Sequence, residues 1–472
     1  MLRFAVILSV AKDLLRVILS VAKDLLPGMP SRAREASLSI IGLLVLVVSP
    51  WQSTFGQVPT GIAAVDSAAV ARGAWRRGQI ALRTRNLAVA DRELEHAASA
   101  WPTQPTYLWG HAVASALSGN QQAAIRALNA YADLGLGVDL ASDSIFSQYV
   151  DRPAFAQVVR RHIGNKQFAA RSRVHAVLSD TSLWPEGVDY DPRRKTWFVT
   201  SVRHRTIVAV RDGEPQRDLW ARETTGMGAV LAVRVDTLRD VLWATTSGIP
   251  QMLGYVSADS TIAALIQVSL PDGAVLHRWN LPVIPGGHVL GDVAIGPGGD
   301  VFFSDSNEPV LYRLRAGADT LERTTSPLFR SVQGIAPAPD GASVYVADYS
   351  HGIMRVDLRT GQVRRVADAP ASTSLGCDGI AWYRNGIVAI QNGVTPARVM
   401  YFALDSAGTS FVRAHIIDRN SGLADEPTIG TIVGDEFIYV ANSQWEKYRD
   451  DGVVKPGARL TAPILLAAPL PR

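Results

Sequence analysis

Two hydrophobic rhythms divide the chain. Between about residues 66 and 134, alanines and leucines recur at helical spacing, with few glycines and no strand-like alternation. From Trp184 onward the pattern becomes short runs rich in Val, Ile, Tyr, Phe and Trp, broken by Asp-Gly, Pro-Gly and Gly-Gly turns. The first rhythm predicts a helical region. The second predicts many short antiparallel strands.

The helical segment repeats. An offset of 34 residues aligns Trp75 with Trp109, Asn86 with Asn120, Ala90 with Ala124, Leu94 with Leu128 and Ala98 with Ala132. Thirty-four residues is the tetratricopeptide period, two antiparallel helices per repeat, and Gly78, Ala90, Leu94, Ala97 and Pro102 fit that pattern. Two repeats are fewer than the three usually needed, so residues 144–161 are expected to close the stack. Pro153 should divide them into a turn carrying Phe146 and Tyr149 and a helix carrying Phe155 and Val158. The region, placed at 66–163, reads either as a partner-binding groove or as a helical cap on the following domain.

The β region repeats as well. A hydrophobic, often aromatic second strand recurs at 197–200, 242–245, 301–304, 344–347, 387–390 and 438–441. The starts lie about 43 residues apart, apart from a longer second and a longer fifth unit, which is the length four strands and their turns require. Six such units predict a six-bladed β-propeller over 173–472. Residues 462–468 should supply a third strand to the last blade and 174–178 a fourth, closing the ring and removing exposed edges. An insertion at 248–261 should form a loop over one face. The fold class is therefore α plus all-β, a helical repeat domain followed by a propeller.

The N-terminus carries a different signal. Residues 6–15 and 17–26 are the same decapeptide, VILSVAKDLL, and 1–28 reads as a dispensable extension. Met29 opens a leader with Arg32 and Arg34, an apolar stretch at 38–48 and small or polar residues up to Gly56. That is the layout of a signal peptide at 29–56, which implies a periplasmic or secreted protein, with membrane attachment only if the leader stays uncleaved. With 47% hydrophobic and 19% charged residues the 472-residue chain is globular in composition. Its net charge of +4 is spread without a basic stripe, which argues against nucleic acid. Cys377 is the single cysteine, so no internal disulfide forms.

Candidate chemistry lies where each inner strand begins. Aligned on their downstream turns, Glu186, Gly291, Gln333 and Asp378 occupy one equivalent position, with Met227 and Glu426 the counterparts expected for blades 2 and 6. A propeller brings such positions to its axis. Acids gathered there repel one another unless a cation or proton compensates them, and Glu186, Asp378 and Asp292 with the Gln333 carbonyl form a hard oxygen set of the kind calcium takes. His288, four residues before Asp292, is a candidate proton carrier on the same face. Asp305, Asp348 and Asn442 end second strands and should hold turns. The chain has no P-loop, dinucleotide fingerprint, CxxC pair or HExxH motif.

The steps Glu186-Gly187, Gln333-Gly334 and Asp378-Gly379, each leading into a small hydrophobic strand, resemble the gluconolactonase and senescence-marker-protein propellers, with paraoxonases and diisopropyl-fluorophosphatases alongside. The resemblance spans about 184–468. It implies a divalent metal, calcium, on Glu186, Gln333, Asp378 and Asp292, and Asp378 as a general base. It also implies hydrolysis of a small-molecule lactone or ester. Two family asparagines are replaced, by Gln333 and by Gly291 beside Asp292. The alternative is a non-enzymatic propeller similar to the NHL type, holding a protein partner through its propeller and its helical repeats.

Overall fold

The computed structural model describes residues 67–471 except 223 and 225. The duplicated decapeptide and the leader lie outside the described residues. Among those described, no helix is long and apolar enough to cross a membrane. The chain forms two compact units that meet in sequence near Gln167 and Phe168.

The first unit holds two helical hairpins, α1 (Ser67–Arg83) with α2 (Leu87–Ala100) and α3 (Pro105–Leu117) with α4 (Gln121–Asp133). The 34-residue period has a local cause. Asn86 caps α2 by accepting the Val89 N–H at 3.3 Å, and Asn120 caps α4 by accepting the Ala123 N–H at 3.2 Å. Each cap satisfies one of the orphan donors of a helix start. Close packing explains the small residues, since a Cβ at Gly78 would lie 2.6 Å from the Leu94 side chain. Pro153–Phe155 is a short 3-10 turn followed by α5 (Ala156–Asn165), and Phe146, Phe155 and Val158 are buried against the second hairpin.

The second unit is a propeller of six four-stranded antiparallel sheets. Blade 1 is β2 (Val188–Asp191), β3 (Thr196–Ser201), β4 (Thr206–Val210) and β5 (Arg217–Asp218), and blade 2 is β6 (Ala229–Asp236), β7 (Val241–Ser247), β8 (Ala263–Ser269) and β9 (Val275–Asn280). Blade 3 is β10 (Leu290–Ile295), β11 (Val301–Asp305), β12 (Val310–Leu314) and β13 (Leu321–Thr324). Blade 4 is β14 (Val332–Pro337), β15 (Ser343–Asp348), β16 (Gly352–Asp357) and β17 (Val363–Arg365), and blade 5 is β18 (Cys377–Tyr383), β19 (Gly386–Gln391), β20 (Arg398–Leu404) and β21 (Phe411–Arg419). Blade 6 holds β1 (Arg173–Val177), β24 (Ile464–Pro469), β23 (Glu436–Val440) and β22 (Gly430–Val433) in that order, so β1 pairs with β24, from Arg173↔Ala467 to Val177↔Ile464. First and last strands thus share one sheet and close the ring. The six predicted second strands are all present: five lie within β3, β7, β11, β15 and β19, and the sixth, 438–441, overlaps β23 and runs one residue past its end. Blades pack face to face through these strands. Phe302 and Leu311 of blade 3, for example, bury against Ile335, Val344 and Val346 of blade 4.

Candidate functional site

Strand pairing fixes which residues are equivalent. The inner strands pair with their second strands at Val188↔Val199, Val233↔Ala244, Val293↔Phe303, Ile335↔Val346, Ile380↔Ala389 and Gly430↔Tyr439. Two residues upstream of each anchor stand Glu186, Leu231, Gly291, Gln333, Asp378 and Thr428. Four expected positions agree. For blades 2 and 6 the structure corrects the expectation: Leu231 and Thr428 take the places assigned to Met227 and Glu426. In blade 2 the cause is a register shift between Val230 and Val233; like shifts between Leu290 and Val293, Val332 and Ile335, and Cys377 and Ile380 insert bulge residues just before the anchor in blades 3 to 5, whereas the blade 6 pairing runs in continuous register. Bulges re-aim side chains and leave N–H groups unpaired. In blade 1 the Thr200 hydroxyl accepts the N–H groups of Glu186 and Gly187, and in blade 3 the Ser304 hydroxyl accepts that of Asp292.

Glu186 and Asp378 are brought into one electrostatic site. Burial, then the neighbouring Asp378 carboxylate, push the Glu186 carboxyl well above its usual range, against a hydrogen bond from the Trp445 indole. That indole N–H donates to Glu186 Oε2 at 2.7 Å. Burial raises Asp378 to about 6, and Asp292 adds to the rise while the Asn392 amide opposes it. Asn392 donates to Asp378 Oδ2 at 2.7 Å and to the Pro427 carbonyl at 2.9 Å, while its own Oδ1 is buried with no hydrogen-bond partner. Glu426 joins the group despite its different register. Its φ of +59°, a left-handed conformation unusual for a side chain of this size, turns the residue, and burial lifts its carboxyl to about 7. The Tyr349 hydroxyl is raised by burial and then by Asp378 and Glu426.

The other predicted residues are placed differently. Asp292 is fully buried, with Oδ2 accepting the Ile335 N–H at 2.9 Å and Oδ1 accepting the Val293 N–H at 2.8 Å. The Arg234 guanidinium lies 3.5 Å from the same Oδ1. Standing one residue past the bulge position, Asp292 straps blade 3 to blade 4, and its oxygens are engaged. Gln333 turns its amide toward blade 3: its Oε1 lies 3.0 Å from where a Cβ of Gly291 would stand. The missing side chain at Gly291 and the longer one at Gln333 are therefore complementary.

His288 has both ring nitrogens occupied, Nδ1 by Asp305 at 2.5 Å and Nε2 by the Pro282 carbonyl at 2.8 Å. The proton-carrier expectation thus finds no free nitrogen. Among the described residues, His288, Asp305 and Glu308 also form a cluster with donor atoms within 4.8 Å of one another. Glu308 already accepts from Arg323, and Asp305 Oδ1 accepts the N–H groups of Val289, Asn307 and Glu308, so the cluster is internally satisfied. Burial works against the His288 charge, but the bonds to Asp305 and Pro282 outweigh it and raise its pKa. Since the folded value lies above the ordinary one, the stabilisation is complete below about 6.5 and lost as pH rises through the raised value. The melting difference between wild type and Asp305→Asn should accordingly shrink between about pH 6 and pH 9; a difference that grew with pH would contradict this pairing.

Asp348 holds a turn as expected, accepting the His351 N–H, and it also accepts that of Ser331. Asn442 does not: its Oδ1 accepts the Ile464 N–H and its amide donates to the Ala462 carbonyl, which ties it to the start of β24 instead. Sequence reasoning missed Asn392, Tyr349 and Trp445. The first two share a signal, because each directly follows a second strand, Gln391 of β19 and Asp348 of β15. Gly393 accompanies them, since a Cβ there would lie 2.5 Å from the Tyr349 ring. Trp445 sits in the connection from β23 to β24, beside Trp184, whose ring stacks on Tyr448 at 3.8 Å.

No protein-family profile and no curated protein sequence matches the chain. Similar solved structures include regucalcin from Agrobacterium tumefaciens, described as a calcium-binding protein, at 16% identity and a TM-score of 0.43, covering 63% of this chain and 96% of that one. A protein assigned as a gluconolactonase shows 16% identity and a TM-score of 0.41, covering 68% and 99%. The aldose sugar dehydrogenase of Streptomyces coelicolor shows 14% identity and a TM-score of 0.43, covering 64% and 98%. At these identities the likeness concerns the propeller fold.

Proposed function

We propose that the propeller binds one calcium-like divalent cation at the mouth of its axis and uses it to hydrolyse lactones or small esters. The observation that carries this reading is the set of oxygens left over at the mouth. Glu186 and Asp378 each have one oxygen held by a neutral donor, Trp445 and Asn392, which orients the second. The buried Asn392 Oδ1 has no hydrogen-bond partner among the described residues. Two carboxyls lifted by burial beside an orphan amide oxygen suit a hard cation. Asp292, tied to Arg234 and to backbone, is left out of the set, and the Gln333 amide is turned toward Gly291 and Ser331.

A bound cation would polarise the carbonyl of a lactone or ester. Asp378, pinned through Oδ2, offers Oδ1 to take the proton from the water that adds to the acyl carbon. That proton is then available to the departing alkoxide as the acyl C–O bond breaks. Glu426, titrating near 7, is a second group able to pass protons at neutral pH. Export through the leader at 29–56 belongs to the same proposal.

Metal analysis of the purified protein, joined to a screen of lactones and aryl esters with calcium and with chelator, tests the reading. Calcium-dependent turnover is expected, falling about a hundredfold or more in Asp378→Asn. The non-enzymatic reading has one observation in its favour, the loss of Asp292 from the donor set. Cation binding with no turnover of any lactone or ester would select it.

A further inference from the structure

A second site lies on the propeller face where the inner strands begin, between blades 1 and 2. A cleft of about 500 Å³ is lined by Trp220, Met227, Ile262, Val275, Arg278 and Asn280, among others. Strand direction gathers these residues. β5 (Arg217–Asp218) ends just before Trp220, β9 (Val275–Asn280) ends with Arg278 and Asn280, and Ile262 leads into β8 (Ala263–Ser269). The walls are mostly apolar, and one guanidinium faces them.

Arg278 differs from its neighbours in its partners. Nearby Arg222 is paired twice, with Asp218 at 2.8 Å and Asp180 at 2.6 Å. Arg278 donates through Nε to Asn280 Oδ1 at 2.7 Å and sets Nη1 3.5 Å from Met227 Sδ, both neutral groups. Among the described residues no carboxylate answers its charge, and burial, the sole influence on its pKa, lowers it. A half-buried guanidinium without a counter-charge is costly, and its flat fork suits a carboxylate or phosphate. The two neutral contacts fix its orientation and leave Nη2 unengaged.

We propose that this cleft binds a small amphiphilic anion, its charged head on Arg278 and its apolar body against Trp220, Met227 and Val275. The site is separate from the proposed cation site and does not depend on it. Titrations are therefore run in chelator on the whole protein, using octanoate, octyl phosphate and 1-octanol as probes and following heat and tryptophan fluorescence. Octanoate or octyl phosphate should saturate one site per chain, and 1-octanol should bind about tenfold more weakly or worse. The tighter of the two anions names the head group. Arg278→Gln should weaken anion binding about tenfold or more, with Arg278→Lys in between. Val275 is exposed, so Val275→Asp should fold normally. It places a negative charge in the cleft and should also weaken both anions. Equal binding of octanol and octanoate overturns the proposal, as does octanoate binding unchanged in Arg278→Gln or, should that variant not fold, in Val275→Asp.

Discussion

Calcium should raise the melting temperature clearly at about pH 8 and much less at about pH 5, and the Glu186→Gln, Asp378→Asn double variant should not respond at either pH. The sign follows from the raised carboxyls. With no cation, the folded protein holds protons at Glu186 and Asp378 more tightly than the unfolded chain does. Their contribution to stability is therefore complete below the ordinary carboxylate values. It is lost as pH rises through the folded ones, about 6 for Asp378 and higher for Glu186. For Asp378 alone, a rise to about 6 corresponds to roughly 3 kcal/mol when fully expressed. A cation supplies at pH 8 the compensation that protons supply at pH 5. At a hundred times its Kd, calcium would add about 2.7 kcal/mol. The double variant removes the repulsion and the ligands together. In chelator at pH 8 it should equal or exceed the wild type in stability. A wild-type melt indifferent to calcium and chelator at pH 8 removes the cation site, and so does a chelated wild type that gains stability from pH 4 to pH 7 through these groups.

The blade pattern was legible because strand hydrophobicity and turn chemistry are local. The runs at 197–200 and 344–347 lie within β3 and β15, and the closing role of 174–178 followed from counting strands in the last blade. The helical period was legible for a similar reason, since Asn86 and Asn120 each do their capping within three residues. The site was legible where a polar residue and a glycine lead into the inner strand, at Glu186, Gln333 and Asp378. Blade 6 defeated the reading. There the equivalent position is Thr428, whose hydroxyl donates to the Glu186 carbonyl at 2.8 Å, and Glu426 reaches the site only through a backbone turn that sequence does not reveal. The partnerships of Asn392 and Trp445 are hidden for another reason. Each acts on a carboxylate 14 or 259 residues away in the chain, a distance no local pattern spans. His288 was misjudged because its partner Asp305 lies at the end of β11, two strands on, where it was assigned to turn formation alone.

Gly334→Ala should cost about 3 kcal/mol and lower the melting temperature by about 6 °C or more. The bulge glycines mark the closest approach of adjacent inner strands. A Cβ at Gly379 would lie 2.6 Å from the Thr428 carbonyl oxygen, and one at Gly187 would lie 2.8 Å from that of Leu231. At Gly334 the added carbon would collide with the Asp378 carbonyl oxygen and lie 2.5 Å from the Ile380 nitrogen. These obstacles are backbone atoms, so no rotamer change relieves the contact. Blades 4 and 5 must separate, or the Asp378 bulge must shift. Either movement changes where the Asp378 carboxylate points, since that side chain is carried by the displaced peptide. The substitution should therefore also weaken calcium binding about tenfold or more, an effect that a remote defect of equal cost would not produce. Gly298→Ala is the matched control: a Cβ there meets no atom within 4 Å, and its effect should stay within about 0.5 kcal/mol. Equal melting temperatures for the two alanine variants would mean that the inner strands have room to spare at the bulge. Loss of stability in Gly334→Ala with calcium affinity intact would mean that the bulge does not set the direction of Asp378.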